Sequence, residues 1–364
     1  CTRKQTCSFA WSQKSSYYSF MVRTDGASEG AARAEAALGA VLGALVGDAA
    51  GAVLEFFGRP IETADVAHAM TMPGGGTWAV APGQITDDGE LTMSLLSALA
   101  AEPDAPTERA ARHYARWALS NPFDIGATTA ASLGCLRDRD RAAQASVNGA
   151  AAVMTATARE RCMGSKANGS LMRATPLGVW GAARGQTDVE AAVMSDARLS
   201  HPNDACVGAA VAYVLAIRHL IREPGDVAGA IAHAAGALLA DPFAEPRRWL
   251  EEARANQAVP YTPMDGFVRI AFTHAFRHLA LGTTYEEALR ETLAGGGDTD
   301  TNACIVGGLL GARWGVGAIP PAMTEKVLSC DTTAGANPRP AELHPRSAPD
   351  LVRSVLHASH ARTS

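Results

Sequence analysis

Ala37-Leu38-Gly39-Ala40-Val41-Leu42-Gly43-Ala44-Leu45-Val46-Gly47-Asp48-Ala49-Ala50-Gly51 is the stretch on which the fold reading turns. Gly39, Gly43, Gly47 and Gly51 recur every fourth residue, which places them along one face of a helix. Each glycine costs about 1 kcal/mol relative to alanine in a helix interior. A repeat of them on one face therefore implies that another backbone approaches closely, as in tight helix packing. Asp48 lies beside the stripe, and Glu55 follows seven residues later. The two share a face if the helix continues that far.

Outward from this helix the same period dominates. Windows at 91–101, 108–119, 205–221, 227–240, 267–281 and 285–293 carry apolar residues at three- and four-residue spacing. No run of alternating β-branched residues stands between them, as a parallel-sheet enzyme would need. The expectation is an all-α, compact multi-helix domain over residues 31–330 with functional loops between helices. Residues 1–30 read as a polar, Ser- and Tyr-rich extension, and Arg3 and Lys4 precede no long apolar core, so no secretory signal is expected. From 331 to 364, Pro338, Pro340, Pro345 and Pro349 suggest an irregular strap or tail.

The chain is 47% hydrophobic, enough for a real core and too much for a mainly disordered protein. Its net charge of −5 supplies no global basic field, so no nucleic acid and no anionic membrane surface are expected as partners. The longest apolar runs, such as 37–47 and 207–217, fall short of the roughly 18 residues of a membrane span and read as buried core helices. Seven cysteines without a C-x-x-C pair argue against a disulfide framework or a thiolate zinc site. A reducing, cytoplasmic setting fits, with organelle addressing by the first 30 residues left open.

Two acidic segments carry the chemistry. Gln84-Ile85-Thr86-Asp87-Asp88-Gly89-Glu90 and Gly295-Gly296-Gly297-Asp298-Thr299-Asp300-Thr301-Asn302 each run into an apolar helix. Either could be an ordinary N-terminal cap, and Asp87 with Glu90 makes a capping-box-like pair. A cap needs one oxygen, however, and each segment offers several. If the two helix starts converge, four aspartates crowd together, which is very unfavourable without counterions. Two hard divalent cations balance four such charges, and Thr86, Asp87, Asp88, Asp298, Asp300 and Thr301 are all oxygen donors, as Mg²⁺ prefers. No His or Cys lies in either segment, which disfavours zinc.

A third segment, Cys162-Met163-Gly164-Ser165-Lys166-Ala167-Asn168-Gly169-Ser170-Leu171-Met172-Arg173, combines small residues with amide, hydroxyl and basic groups, as an anion nest does. It is neither a P-loop nor a dinucleotide fingerprint. Read singly, His201 is more often structural than functional, and Asp124 could simply cap the next helix.

Taken in order, Gly47-Asp48 with Glu55, Thr86-Asp87-Asp88-Gly89-Glu90, Phe123-Asp124-Ile125-Gly126, Gly164-Ser165 through Asn168-Gly169 to Met172-Arg173, His201, and Gly297-Asp298-Thr299-Asp300-Thr301 resemble the ADP-ribosylglycohydrolase family. That family includes dinitrogenase-reductase-activating glycohydrolases and ADP-ribosyl-acceptor hydrolases. The resemblance runs from about Leu38 to Pro320. It implies an all-α domain with a cleft holding two Mg²⁺ (or Mn²⁺) ions on Thr86, Asp87, Asp88, Asp298, Asp300 and Thr301. It also implies that Glu55 gates the metal site, and that Gly164, Ser165, Asn168, Gly169 and His201 contact ADP-ribose. Asp124 would lie on the acceptor side, where a carboxylate can meet a guanidinium. Two positions depart from the pattern. Ala127 stands where Asn often follows Asp-Ile-Gly, and Lys166 stands where some members carry an aromatic for the adenine.

The expected reaction is hydrolysis of the C1″ bond between ADP-ribose and an acceptor, best an arginine of a protein, with Asp87, Asp88 or Asp300 relaying the proton and Glu55 opening and closing the site. Expected partners are ADP-ribose and an ADP-ribosylated protein, and the expected state is a monomer. The competing readings are a hydrolase of serine-linked ADP-ribose, poly-ADP-ribose or an ADP-ribosyl metabolite, a non-catalytic crystallin-like or ADP-ribose-binding protein, and an unrelated two-metal phosphoesterase.

Overall fold

The computed structural model describes residues 29–104 and 106–360, and among them it contains seventeen α-helices and no strand, as the periodicity predicts. The first helix, Glu29–Gly51, and the helix Thr299–Trp314 form the central pair. Their contact explains the glycine stripe. A β-carbon placed on Gly39, Gly43 or Gly47 would stand 2.3, 2.3 and 2.1 Å from the carbonyl oxygens of Gly311, Gly307 and Ala303. On Gly51 it would stand 2.3 Å from the Cα of Asp300. No side chain fits there, so two backbones lie in direct contact along roughly three helical turns. The Thr299 hydroxyl ties the far end by donating to the Gly51 carbonyl at 2.7 Å. This packing sets Asp48, on the first helix, beside Asp300 of the second acidic segment.

Around this pair the helices Asp87–Ala101, Asp204–Arg222 and Val268–Leu281 complete one contiguous apolar core, running from Ala36 to Val355. Glu29–Gly51 and Asp204–Arg222 are long and apolar enough to cross a membrane by length and composition, and 89% and 94% of their apolar windows are buried inside the protein. The sequence reading of 37–47 and 207–217 as core helices holds, although the helices themselves are about twice as long as the uninterrupted apolar runs.

Two expectations about the chain's course change. The first helix ends at Gly51, and Glu55 lies in the turn that follows. Helical periodicity therefore does not carry Glu55 to the face of Asp48. The segment after 330, expected as a strap or tail, is packed against the rest of the molecule. Beyond two short 3₁₀ turns it forms the helix Ala348–His360, which buries Ala348, Val352 and Val355 beside the Asp87–Ala101 helix. Proline content marks irregular backbone and says nothing of whether that backbone is covered. The expected extension over 1–30 lies outside the described residues except for Glu29 and Gly30, which open the first helix.

Candidate metal centre and cleft

Thr86 occupies the N-cap of the Asp87–Ala101 helix but makes no side-chain capping bond. The capping is done from elsewhere in the sequence. Asp48, on the first helix, accepts from the Thr86 N–H, from the Thr86 hydroxyl at 2.7 Å and from the Gly89 N–H at 2.8 Å. Asp87 and Asp88 are thereby released from capping, and Glu90 is engaged by Arg339 and Trp117. The capping-box reading of Asp87 and Glu90 is not realised. Asp298 likewise heads the Thr299–Trp314 helix without capping it, and its carboxylate instead accepts from the Asn168 side-chain amide at 2.7 Å.

The two helix starts meet. The Thr86 hydroxyl lies 3.3 Å from carboxylate oxygens of both Asp88 and Asp300, and the Thr301 hydroxyl lies 3.3 Å from Asp88. Two carboxylate triads result, Asp48–Asp88–Asp300 and Glu55–Asp124–Asp300, each with its oxygens within 4.8 Å of one another. They share Asp300. Asp87 and Asp298 belong to neither triad, but both line the adjoining cleft.

Burial of so many acids raises their affinity for protons. Desolvation, reinforced by the neighbouring carboxylates, pushes the Asp87, Asp88 and Asp300 carboxyls well above their ordinary range. Burial likewise raises Asp48 to about 7, Asp124 to about 7 and Glu55 to about 8. One oxygen of Asp88, Oδ1, is buried without a hydrogen-bond partner. An orphaned buried acceptor costs on the order of 1–3 kcal/mol. An all-oxygen donor set with an orphan oxygen and mutually repelling carboxylates suits hard divalent cations, which restore the ionised forms. The residues present therefore fit such ions.

A cleft of about 320 Å³ opens from this cluster. Its lining includes Glu55, Asp87, Asp298, Asp300 and Thr301 together with Asn168, Gly169 and His201. Gly169 is required where it is, because a β-carbon there would lie 2.9 Å from the His201 ring. His201 is buried and its Nδ1 is 2.8 Å from the Ser200 hydroxyl. Asp124 lines the same cleft and does not cap the following helix, whose N-cap is Gly126. Gly164 and Ser165 are not in the lining, although the Ser165 hydroxyl is 2.8 Å from that of Thr128, which is. Lys166 points its ammonium at Glu245, 2.6 Å away, and Arg173 is buried against Asp196 and the Gly169 carbonyl. Both cations of the expected nest are thus held by protein groups.

Several cleft residues were not legible in the sequence. Trp78 donates its indole N–H to Glu55 at 2.5 Å, and Phe56, Thr128, Thr129 and Asp265 also line the wall. A lone Trp or Asp in a loop carries no pattern, and only the fold brings these side chains to the cleft.

Fold and site together define an all-α hydrolase with an acidic cleft built on two converging helix starts. The chain belongs to the ADP-ribosylglycohydrolase family, whose model matches residues 29–349. It is an enzyme acting on glycosyl bonds to ADP-ribose. It is 29% identical over 279 residues to a protein of Acanthamoeba polyphaga mimivirus named as a putative ADP-ribosyl glycohydrolase, covering 71% of this chain and 79% of that one. It is also 29% identical over 282 residues to the ADP-ribosyl-[dinitrogen reductase] glycohydrolase of Rhodospirillum rubrum, covering 77% and 86%. A solved structure titled ADP-ribosylglycohydrolase-related protein complex superposes with a TM-score of 0.68 at 24% identity, over 90% of this chain and 99% of that one, which shows the shared fold.

Proposed function

We propose that this protein removes ADP-ribose from arginine side chains of a protein by hydrolysing the C1″ glycosidic bond, with two divalent ions, Mg²⁺ or Mn²⁺, in the acidic cleft. The observation that carries the reading is the pair of triads sharing Asp300, with the orphaned Asp88 oxygen between two convergent helix starts. Thr86, Asp87, Asp88, Asp298, Asp300 and Thr301 would hold the ions, with Asp48 bracing Thr86 from behind. When bound, such ions fix the terminal ribose hydroxyls and acidify a water for attack on an oxocarbenium-like C1″.

The chain's own residues do the rest. Asn168, Gly169 and His201 line the same cleft and would seat the ADP-ribose. Ser165 supports the lining through Thr128, and Gly164 lies in the turn before it. One of Asp87, Asp88 and Asp300 takes the proton as the nucleophile forms, while the C1″–acceptor bond breaks and its electron pair leaves with the acceptor. Glu55, held by Trp78, and Asp124 offer the two carboxylates nearest an acceptor guanidinium, which suits a cationic leaving group. Binding of the remote adenosine diphosphate supplies the energy for that alignment.

The test is release of ADP-ribose from defined arginine- and serine-linked peptides, with and without chelator and with Mg²⁺ or Mn²⁺ restored. Metal-dependent release from the arginine conjugate is expected, and no release from that conjugate, whether or not the serine conjugate is cleaved, overturns the proposal. Ala127 favours a second reading, a serine-linked or polymeric target, because it brings no side-chain amide to the acceptor side of the cleft. A cytoplasmic monomer is the companion proposal, to be checked by fractionation and native mass spectrometry.

A further inference from the structure

We propose that His274, His278 and Glu291 form a second metal site, for a transition ion of the Zn²⁺ class, separate from the acidic cleft. His274 and His278 lie four residues apart in the helix Val268–Leu281 and so share a face. Glu291 comes from the next helix, Tyr285–Gly295. One nitrogen of each ring and a carboxylate oxygen of Glu291 lie within 4.8 Å of one another.

Hydrogen bonding leaves a nitrogen free on each ring. Nε2 of His274 is 2.7 Å from the Val259 carbonyl, and its buried Nδ1 has no partner. Nδ1 of His278 is 3.3 Å from the Thr283 hydroxyl, and its buried Nε2 has no partner. A carbonyl fixing one ring nitrogen so that the other presents its lone pair is the usual support of a metal-ligating histidine. Packed merely as core, the pair would strand two buried polar atoms at roughly 1–3 kcal/mol each. Burial lowers both imidazoles, His278 to about 4, so both rings are neutral at physiological pH. Arg277 holds Oε1 of Glu291 at 2.6 Å and leaves Oε2 to the ion. The exposed Glu291 gives an entry path, and three protein ligands leave a fourth position to water. This donor set selects borderline transition ions, whereas the cleft's oxygens select hard ones.

The site adjoins the catalytic end of the fold. The Tyr261 ring stacks on His274 at 4.0 Å between centroids, and a β-carbon on Gly295 would meet that ring at 2.1 Å. Gly295 closes the Glu291 helix and leads through Gly296 and Gly297 to Asp298. An ion on the histidines therefore ties the helix Val268–Leu281 to the helix Tyr285–Gly295, whose C-terminal end leads into that loop.

The test titrates the full chain with Co²⁺ under saturating Mg²⁺, read by visible absorption and calorimetry. One equivalent with a nitrogen-ligated d–d spectrum, displaced by Zn²⁺, is expected. Glu291→Gln should weaken it about tenfold or more, and His278→Asn should abolish it, while Arg277→Gln should retain it. No Co²⁺ uptake under saturating Mg²⁺, or uptake unchanged in Glu291→Gln, overturns the proposal. Glu291 is exposed, so its variant carries the test even if His278→Asn does not fold.

Discussion

Gly47 and Ala303 touch backbone to backbone: a methyl group on Gly47 would stand 2.1 Å from the Ala303 carbonyl oxygen. That contact aligns the first helix with the helix that presents Asp300. Gly47→Ala should push the pair apart and destabilise the protein by about 3 kcal/mol or more. Thermal melting and Mg²⁺ titration check this, and both should fail together. Gly236 is exposed in its helix with open space around it. Gly236→Ala should therefore be neutral or stabilising by up to about 1 kcal/mol. Equal effects at the two glycines would contradict the close-approach argument.

Asp300 belongs to both carboxylate triads. Asp300→Ala should remove several kcal/mol of charge stabilisation, a loss of about 10³-fold in turnover. Wild-type release of ADP-ribose by this variant would contradict the assignment. Because burial pushes the Asp87, Asp88 and Asp300 carboxyls well above the ordinary carboxylate range, and ligation needs them ionised, Mg²⁺ binding should release protons. Calorimetry in buffers of different ionisation enthalpy measures that release, and Asp300→Ala should reduce it.

Arg339 binds Glu90 through both carboxylate oxygens, at 2.8 and 2.9 Å, and also donates to the Ser120 and Asn121 carbonyls. Both side chains are 3% exposed, so removing one strands a buried charge. Arg339→Ala should cost about 3–5 kcal/mol. In the double variant Glu90→Gln, Arg339→Met, the amide still accepts from Trp117, and much of the stability should return. Denaturant unfolding of the single and double variants decides this.

His201 is pushed down to about 3 by burial, with the Arg173 charge as a second cause. Its unfolded value is about 6.5. Between those limits the unfolded chain binds a proton that the folded one refuses. Stability therefore falls as pH drops from about 6.5 toward 3. His201→Gln should make that fall shallower, by at most about 1.4 kcal/mol per pH unit. Denaturant unfolding at pH 7 and pH 5 measures the difference, and an imidazolium signal from His201 at pH 5 in the folded protein would refute the sign.

Much of the site was readable because its carriers repeat a pattern. Thr86-Asp87-Asp88 and Asp298-Thr299-Asp300-Thr301 each offer more acids than a cap can use, and the structure shows neither cap bonding through them. Asp48 was visible beside the glycine stripe, but not its task, because a cap supplied from 38 residues upstream leaves no local signature. Glu55 reaches the cleft from a turn, so the condition of a continued helix, on which a shared face with Asp48 rested, is not met. Trp78 and Asp265, single side chains in loops, and Thr128, in the short helix Ala127–Ser132, were invisible because none belongs to a pattern.

The sequence by itself determined the all-α class, the face along which two helices would touch, and the chemistry of the two acidic segments. These follow from local period and residue type, which physics reads over a few turns of chain. Tertiary structure alone decided that Asp87 and Asp300 share a cleft, that Arg339 locks the segment after 330 onto Glu90, and that His274, His278 and Glu291 meet. Such encounters depend on packing between residues far apart in the chain, and no local propensity encodes them.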